Sequence, residues 1–198
     1  MISNKLKAVF IHVPKCGGTS IEHILKKQSF VHQQHYHTSH QELNAKYNNY
    51  FKFAFVRNPY DKIVSEYKWF TNTEHEYPVK RVKDFYKGVD FKTFLKKFTE
   101  WPKSRSKHNP NKGDYYHGLD YMHTLHPIRQ INFIGRFENL QEDFDTACDK
   151  IGIAREQLPH AYKTKHKHYT EYYDDETKSI VAEKYAKDIE YFGYEFGE

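Results

Sequence analysis

The sequence predicts an α/β protein in which a central parallel sheet is flanked by helices in three layers. Short apolar runs, typical of buried strands, alternate along the chain with longer amphipathic runs, typical of helices. Two of the short runs are followed by turn residues and then by a helix-like segment, as in a strand–turn–helix unit. The length of 198 residues is enough for one domain, over residues 1–198, with a hydrophobic core of its own.

The two strand–turn–helix units lie in the first half of the chain. Residues 8–13 (AVFIHV) predict a buried strand, and residues 19–27 (TSIEHILKK) predict its helix, because apolar side chains recur there at helical spacing. Residues 51–56 (FKFAFV) predict the second strand and residues 60–70 (YDKIVSEYKWF) its helix. Pro59 stands before this helix, at a position where helices commonly begin.

The same patterns predict the remaining elements. Residues 91–98 predict a short amphipathic helix, residues 131–137 (INFIGRF) a third strand, and residues 138–153 the helix that follows. Residues 174–194 predict one last helix, and one of the two aspartates at its start is expected to cap it. Its buried face is expected to comprise Ile180, Val181, Tyr185 and Ile189.

Charge and cysteine content narrow the function and the compartment. Lys and Arg number 31 against 26 Asp and Glu, and the resulting formal charge of +5 favours an anionic ligand. We expect no nucleic-acid partner, because the excess is small and no nucleic-acid-binding module is recognisable. Cys16 and Cys148 form no disulfide framework and no C-x-x-C pair, and the N-terminal apolar run ends at Pro14 and Lys15. We therefore expect a cytoplasmic protein without a membrane span.

The segment VPKCGGTS, between the first strand and its helix, has the composition of a phosphate-binding loop. Its glycines allow the backbone to approach an anion, the helix N-terminus offers amides and a favourable dipole, and a lysine adds a mobile charge. The spacing G-x-x-x-x-G-K-[ST] of ATP and GTP loops is absent. Without a second anion site, the segment would equally fit a tight turn that caps a helix. The candidate ligand-binding residues are Lys15, Cys16, Gly17, Gly18, Thr19 and Ser20.

A second candidate anion site follows the second strand. Arg57 stands at the end of that strand, and Ser65 comes eight residues later, on the second turn of the next helix. Because ligands of open α/β sheets bind beyond the carboxyl ends of the strands, we expect both corners to open onto one crevice. A guanidinium can hold a phosphate with two hydrogen bonds while a hydroxyl adds a third. Two such sites suit a nucleotide phosphorylated at both ends, which ATP is not.

Both corners resemble motifs of a known family. PKCGGTS (14–20) and FVRNPYDKIVSEY (55–67) resemble the phosphosulfate and 3′-phosphate motifs of sulfotransferases that use 3′-phosphoadenosine-5′-phosphosulfate (PAPS). The resemblance is closest to the carbohydrate group that includes heparan 2-O-sulfotransferase and to its short bacterial relatives. GRFENLQEDFDTAC (135–148) and residues 172–196 are similar to later segments of that group. The resemblance implies a P-loop-like fold and sulfuryl transfer to a hydroxyl, with a carbohydrate favoured and a small alcohol or peptide tyrosine still open.

The resemblance also implies roles for the candidate residues. Lys15 would sit on the oxygen that bridges the phosphate and the sulfuryl group, and residues 17–20 would hold the 5′-phosphate. Arg57 and Ser65 would hold the 3′-phosphate. Arg136 could touch the nucleotide or, equally, pair with a nearby glutamate. The product nucleotide would be 3′-phosphoadenosine-5′-phosphate (PAP), and no metal would be required.

A hydroxyl acceptor also needs a base, because its proton must leave as the oxygen attacks sulfur. The resemblance aligns YHTSHQEL with a family element and implies His37 as the base, with His35 as the alternative, although Tyr36 replaces the lysine of the family. Closely spaced histidines could instead bind a metal, but no cysteine pair accompanies them. A surface cluster without function is the alternative for the neighbouring His32 and His40.

Some other functions stay open at this point. A P-loop-type small-molecule kinase would need ATP and magnesium, and the missing loop spacing counts against it. A non-catalytic protein would bind the bisphosphorylated nucleotide or a glycan without transfer, and a structural α/β domain would show no nucleotide preference. The basic segment 163–173, with Lys163, Lys165 and Lys167, is either a solvated loop or a cover for the nucleotide or an anionic acceptor.

Overall fold

The computed structural model describes five stretches of the chain, with side chains described throughout except at residues 98–100. These stretches are residues 1–31, 47–71, 85–100, 131–159 and 167–198. They divide into two compact units. The first unit contains residues 1–31, 47–57 and 131–159, and the second contains 58–71, 85–100 and 167–198. The single domain over residues 1–198 stays a prediction for the whole chain.

The first unit is built on a four-stranded sheet in the order β1–β2–β3–β4. The strands are β1 (Ile2–Ser3), β2 (Ala8–Ile11), β3 (Phe51–Val56) and β4 (Phe133–Arg136). β2 and β4 both run parallel to β3, whereas β1 is antiparallel to β2 at one edge. The α/β class with a mostly parallel central sheet is therefore confirmed. The sequence did not predict β1, because a strand of two residues is too short to show a periodicity.

The register of the central strand positions both candidate corners. Ile11 pairs with Ala54, and Val56 pairs with Arg136. Because these strands are parallel, the carboxyl ends of β2, β3 and β4 lie along the same edge of the sheet. The loops that follow β2 and β3 therefore start from neighbouring positions on that edge.

Helices follow the strands in the order that the sequence predicts. Their bounds are α1 (Gly18–Lys27), α2 (Pro59–Thr71), α3 (Phe91–Glu100), α4 (Leu140–Ile151), α5 (Asp175–Lys184) and α6 (Ala186–Phe192). A 3₁₀ turn over Phe137–Asn139 separates β4 from α4, where the sequence predicts regular helix from residue 138. In the first unit α4 packs on β3 and β4. Within the described stretches, none of the helices combines the length and apolar character needed to cross a bilayer.

The second unit packs α2 against α3, α5 and a 3₁₀ turn over Tyr169–Tyr172. Aromatic rings form much of this packing. Tyr60, Tyr173 and Phe196 meet edge to face, with ring centroids 5.1 to 5.6 Å apart. The Tyr173 hydroxyl donates to the Tyr60 carbonyl oxygen at 2.8 Å, and burial raises the pKa of Tyr173. The high tyrosine and phenylalanine content of the chain thus serves packing in this unit.

The helix predicted over residues 174–194 begins as expected but is interrupted. Asp174 caps α5, because its side chain accepts from the Thr177 amide at 2.7 Å and its own amide donates to the Thr177 hydroxyl at 2.8 Å. The chain leaves the helical conformation at Tyr185, with φ −106° and ψ 18°, and α6 follows. The expectation of one continuous helix is wrong, because the chain forms two helices, Asp175–Lys184 and Ala186–Phe192, with a turn at Tyr185 between them. Val181 and Tyr185 are buried as predicted, Ile180 and Ile189 are half-buried, and Thr177 and Asp188 are buried.

Candidate functional site

The loop between β2 and α1 contains two left-handed residues. Lys15 has a φ of 63° and Gly17 a φ of 77°. The Gly17 carbonyl oxygen accepts from the amides of Ser20 at 3.1 Å and Ile21 at 3.3 Å, and these bonds begin α1. The amides of Gly18 and Thr19 come before these first intrahelical hydrogen bonds. They lie at the positive end of the helix dipole. Left-handed turns that lead into a helix start are typical of anion-binding loops.

Both glycines of the loop are required by their surroundings. Gly17 has a left-handed backbone, and a Cβ at this position would also approach Leu140 Cδ2 to 2.6 Å. A Cβ on Gly18 would overlap the Cδ2 and Nε2 atoms of the His12 ring. The loop therefore lies directly against two side chains, one after the end of β2 and one at the start of α4.

His12 and Glu22 form a hydrogen-bonded pair against the loop, which the sequence did not predict. His12 Nδ1 lies 2.8 Å from Glu22 Oε1, and because a carboxylate oxygen only accepts, Nδ1 carries the proton. The Glu22 side chain is 8% exposed, so the bond satisfies a carboxylate that would be costly to bury alone. The sequence gives only a weak indication of this pair. His12 follows an apolar run, and Glu22 is the acidic residue within an otherwise apolar helix face.

Arg57 brings the second corner against the first. It follows β3 directly and is 7% exposed. Its Nη1 donates to the Lys15 carbonyl oxygen at 3.0 Å, and its Cζ lies 3.9 Å from the centre of the Phe137 ring. The two cationic residues that the sequence assigns to opposite ends of one nucleotide are therefore in contact.

The other loop residues differ in how far their side chains are exposed to solvent. Thr19 is exposed, whereas Lys15 and Ser20 are half-buried. Cys16 is 1% exposed, and its Sγ donates to the Pro14 carbonyl oxygen at 3.4 Å. Because its thiol is turned into the protein, we expect Cys16 to serve a ligand through its backbone amide.

Two further candidates for the nucleotide site lie on β4 and α2. Arg136 ends β4 opposite Val56, and its backbone amide donates to Asp143 Oδ2 at 2.5 Å. This bond fixes the strand end that carries the half-buried Arg136 side chain. Ser65 is 7% exposed and belongs to the second unit. Contacts of Arg136 and Ser65 with a nucleotide stay predictions.

The predicted base lies outside the described residues. The other histidines of that cluster and two lysines of the basic segment 163–173 also lie outside them. The candidates outside the described residues are therefore His32, His35, His37, His40, Lys163 and Lys165. Lys167 is described, and its exposed ammonium lies 3.4 Å from Glu171 Oε2. In the part of the chain that the structure covers, no group of three or more His, Cys, Asp or Glu side chains could hold a metal ion.

The parallel sheet, the left-handed loop and the buried arginine define an α/β protein with a cationic strand–helix corner. The sequence matches the model of the sulfotransferase family over residues 1–195. The chain therefore belongs to the sulfotransferase family.

Three known proteins are similar to it. The chain is 22% identical over 223 residues to carbohydrate sulfotransferase 9 of Homo sapiens, covering 95% of this chain and 47% of the human protein. It is 31% identical over 114 residues to an uncharacterized protein of Archaeoglobus fulgidus, covering 56% of this chain and 74% of the archaeal one. The crystal structure of a sulfotransferase from Alicyclobacillus acidocaldarius aligns with a TM-score of 0.42 and 17% identity, over 79% of this chain and 60% of that one. The chain thus spans about half the length of the human relative.

Proposed function

We propose that the protein is a sulfotransferase that moves a sulfuryl group from PAPS to a hydroxyl of a carbohydrate. Membership of the family supports the class of reaction. The observation that carries the proposal is the 3.0 Å contact between Arg57 Nη1 and the Lys15 carbonyl, because it unites cationic residues from two adjacent strand ends. A cytoplasmic location belongs to the same proposal.

The loop after β2 suits the 5′ end of the donor. Gly18 and Thr19 offer backbone amides at a helix N-terminus, and the hydroxyls of Thr19 and Ser20 add two further donors. The Lys15 ammonium would contact the oxygen that bridges phosphate and sulfur. The two glycines let this loop pack directly against Leu140 and His12, which fixes the position of the loop backbone.

The end of β3 suits the 3′-phosphate of the donor. The Arg57 guanidinium is largely screened from water, with the Phe137 ring on one face, so its hydrogen bonds to a phosphate would be stronger than those of a solvated arginine. Ser65 would supply a hydroxyl to the same phosphate. Arg136, at the neighbouring strand end, would add a further positive charge near the nucleotide.

The reaction is an in-line displacement at sulfur. The acceptor oxygen bonds to sulfur while the bond between sulfur and the bridging oxygen breaks, and PAP leaves. The hydroxyl proton passes to a base, which we propose to be His37, with His35 as the alternative. Lys15 neutralises the negative charge that develops on the bridging oxygen, so its contact strengthens in the transition state.

A carbohydrate acceptor is supported by the human relative, which is a carbohydrate sulfotransferase. This relative favours a glycan over the small alcohols and tyrosine peptides that the sequence leaves open.

Calorimetric titration with PAP, AMP, ADP, and ATP with magnesium tests the donor. We expect micromolar binding of PAP and at least ~30-fold weaker binding of nucleotides that lack the 3′-phosphate. Transfer from radiolabelled PAPS is then measured against a panel of glycans, small alcohols and tyrosine peptides. Preference for ATP would indicate a kinase, and PAP binding without transfer would indicate a binding protein. Folded protein that binds no nucleotide would refute the proposed donor site.

A further inference from the structure

One buried contact links the two ends of the proposed donor site. Arg57 is 7% exposed, and its Nη1 donates to the Lys15 carbonyl oxygen at 3.0 Å. We propose that Arg57 is a positioning residue for Lys15, which holds the backbone from which the lysine ammonium reaches the transferring group. This inference rests on the proposed function. It gives Arg57 an action at the 5′ end of the donor in addition to the 3′ end.

The backbone of Lys15 needs a contact to hold it. Its φ of 63° lies in the left-handed region, where the Cβ of an ordinary residue crowds the following carbonyl oxygen. Conformations of this kind persist at functional sites when the surrounding structure enforces them. Gly17, two residues later, has a φ of 77° but no Cβ. A contact that stabilises the left-handed backbone is therefore needed more at Lys15 than at Gly17.

Contacts on both sides of the Lys15 Cα supply this constraint. Cys16 Sγ donates to the Pro14 carbonyl oxygen at 3.4 Å, and Arg57 Nη1 donates to the Lys15 carbonyl oxygen at 3.0 Å. Because peptide groups are planar, fixing both carbonyls fixes the direction in which the lysine side chain leaves the backbone. A thiol is a weak donor, whereas a guanidinium donor is charged, so Arg57 makes the stronger contact.

Arg57 is itself held firmly enough to act as a support. It directly follows the central strand β3, and its Cζ lies 3.9 Å from the centre of the Phe137 ring, just after β4. The ring covers one face of the guanidinium, while the N–H groups lie in the guanidinium plane. One side chain can therefore serve the Lys15 carbonyl and a phosphate at the same time.

Binding of AMP separates the two actions, because AMP carries the 5′-phosphate and lacks the 3′-phosphate. We expect Arg57→Ala to weaken AMP binding ~5- to 10-fold, because the loop loses its support, and to weaken PAP binding ~100-fold, because the 3′-phosphate contact is lost as well. The control is Arg155→Ala in the same unit. Arg155 is exposed and paired with Asp149 at 2.6 Å, so this variant should bind both nucleotides like the parent protein.

Arg57→Lys distinguishes positioning from general structural damage. The ammonium keeps a charged donor for the Lys15 carbonyl but lacks the planar fork, so AMP affinity should return to within ~3-fold of the parent while PAP stays at least ~10-fold weaker. Phe137→Leu removes the ring beneath the guanidinium and should weaken AMP ~3-fold. If circular dichroism shows that Arg57→Ala does not fold, AMP binding by Phe137→Leu is measured in its place.

The outcomes separate this inference from the proposed function. Unchanged AMP affinity in folded Arg57→Ala, or in Phe137→Leu where the alanine variant does not fold, overturns the positioning role. The proposed function survives that result as long as the parent protein prefers PAP. A parent protein with no preference for PAP over AMP refutes the donor assignment instead.

Discussion

Replacing Gly18 by alanine should destabilise the protein through His12. Gly18 is buried at the first position of α1, and an added Cβ would overlap the Cδ2 and Nε2 atoms of the imidazole ring. The ring has little freedom to move, because Nδ1 is 2.8 Å from Glu22 Oε1 and its centroid lies 6.1 Å from that of Phe10. Gly18→Ala should therefore displace the ring and break the bond to Glu22.

The size of the effect follows from two opposing contributions. An alanine in a helix is more favourable than a glycine by about 0.5–1 kcal/mol. Breaking the hydrogen bond between His12 and the buried Glu22 carboxylate costs about 1–3 kcal/mol. The net loss for Gly18→Ala is thus up to about 2.5 kcal/mol, and about 1 kcal/mol at the middle of these ranges. With His12→Ala already present, the ring is gone, and Gly18→Ala should be neutral or stabilising by up to about 1 kcal/mol.

Urea unfolding of the parent, both single variants and the double variant measures this coupling, which we expect to be about 2 kcal/mol. Gly152→Ala is the matched control, since Gly152 has a φ of 74° but no atom within 4 Å of an added Cβ. It should cost the same with and without His12. If Gly18→Ala costs the same in both backgrounds, the argument from the His12 ring is refuted.

Four further predictions concern catalysis and titration. Lys15→Ala should lower turnover ~10²- to 10³-fold while PAP affinity falls far less, and equal losses in steady-state kinetics and calorimetry would exclude a role on the leaving group. His37→Ala should abolish sulfuryl transfer and preserve PAP binding, whereas normal turnover would assign the base elsewhere. Hydrogen bonds from Thr177 lower the pKa of Asp174 from 3.8 to about 2, so the charged form stabilises the fold above about pH 4 and this stabilisation is lost towards pH 2. The difference in unfolding free energy between the parent and Asp174→Asn should shrink over that interval, and a constant difference would contradict the assignment. Burial raises the pKa of Cys148 to about 11, so a thiol reagent at pH 8 should label it only after unfolding, and rapid labelling of the native protein would show that the thiol is accessible.

The sequence predicts the main elements well where hydrophobic runs are long. The strand over residues 51–56 has the predicted bounds, because four of its six residues are aromatic or β-branched and five of the six are buried. The strand predicted over residues 8–13 ends at Ile11 instead. His12 already pairs with Glu22, a contact with the next helix that hydrophobic pattern cannot reveal.

The candidate site is predictable in its residues but not in their contact. Lys15 and Arg57 stand out because each follows a predicted strand and precedes a helix. Their hydrogen bond depends on β2 and β3 being neighbours in the sheet. The order of strands in a sheet cannot be predicted from local sequence patterns. The hydrogen bond also depends on the left-handed φ of Lys15, a conformation that local preference assigns to glycine.

The two contacts of Arg57 also bear on the order of events during folding. Its hydrogen-bonding partner Lys15 is 42 residues away along the chain, and Phe137, under its guanidinium, is nearly twice as far in the other direction. Contacts between distant residues form slowly, because two long stretches of chain must first close. Nucleotide affinity should therefore appear later in refolding than helical signal, which makes the ligand a reporter of the last stage of sheet assembly.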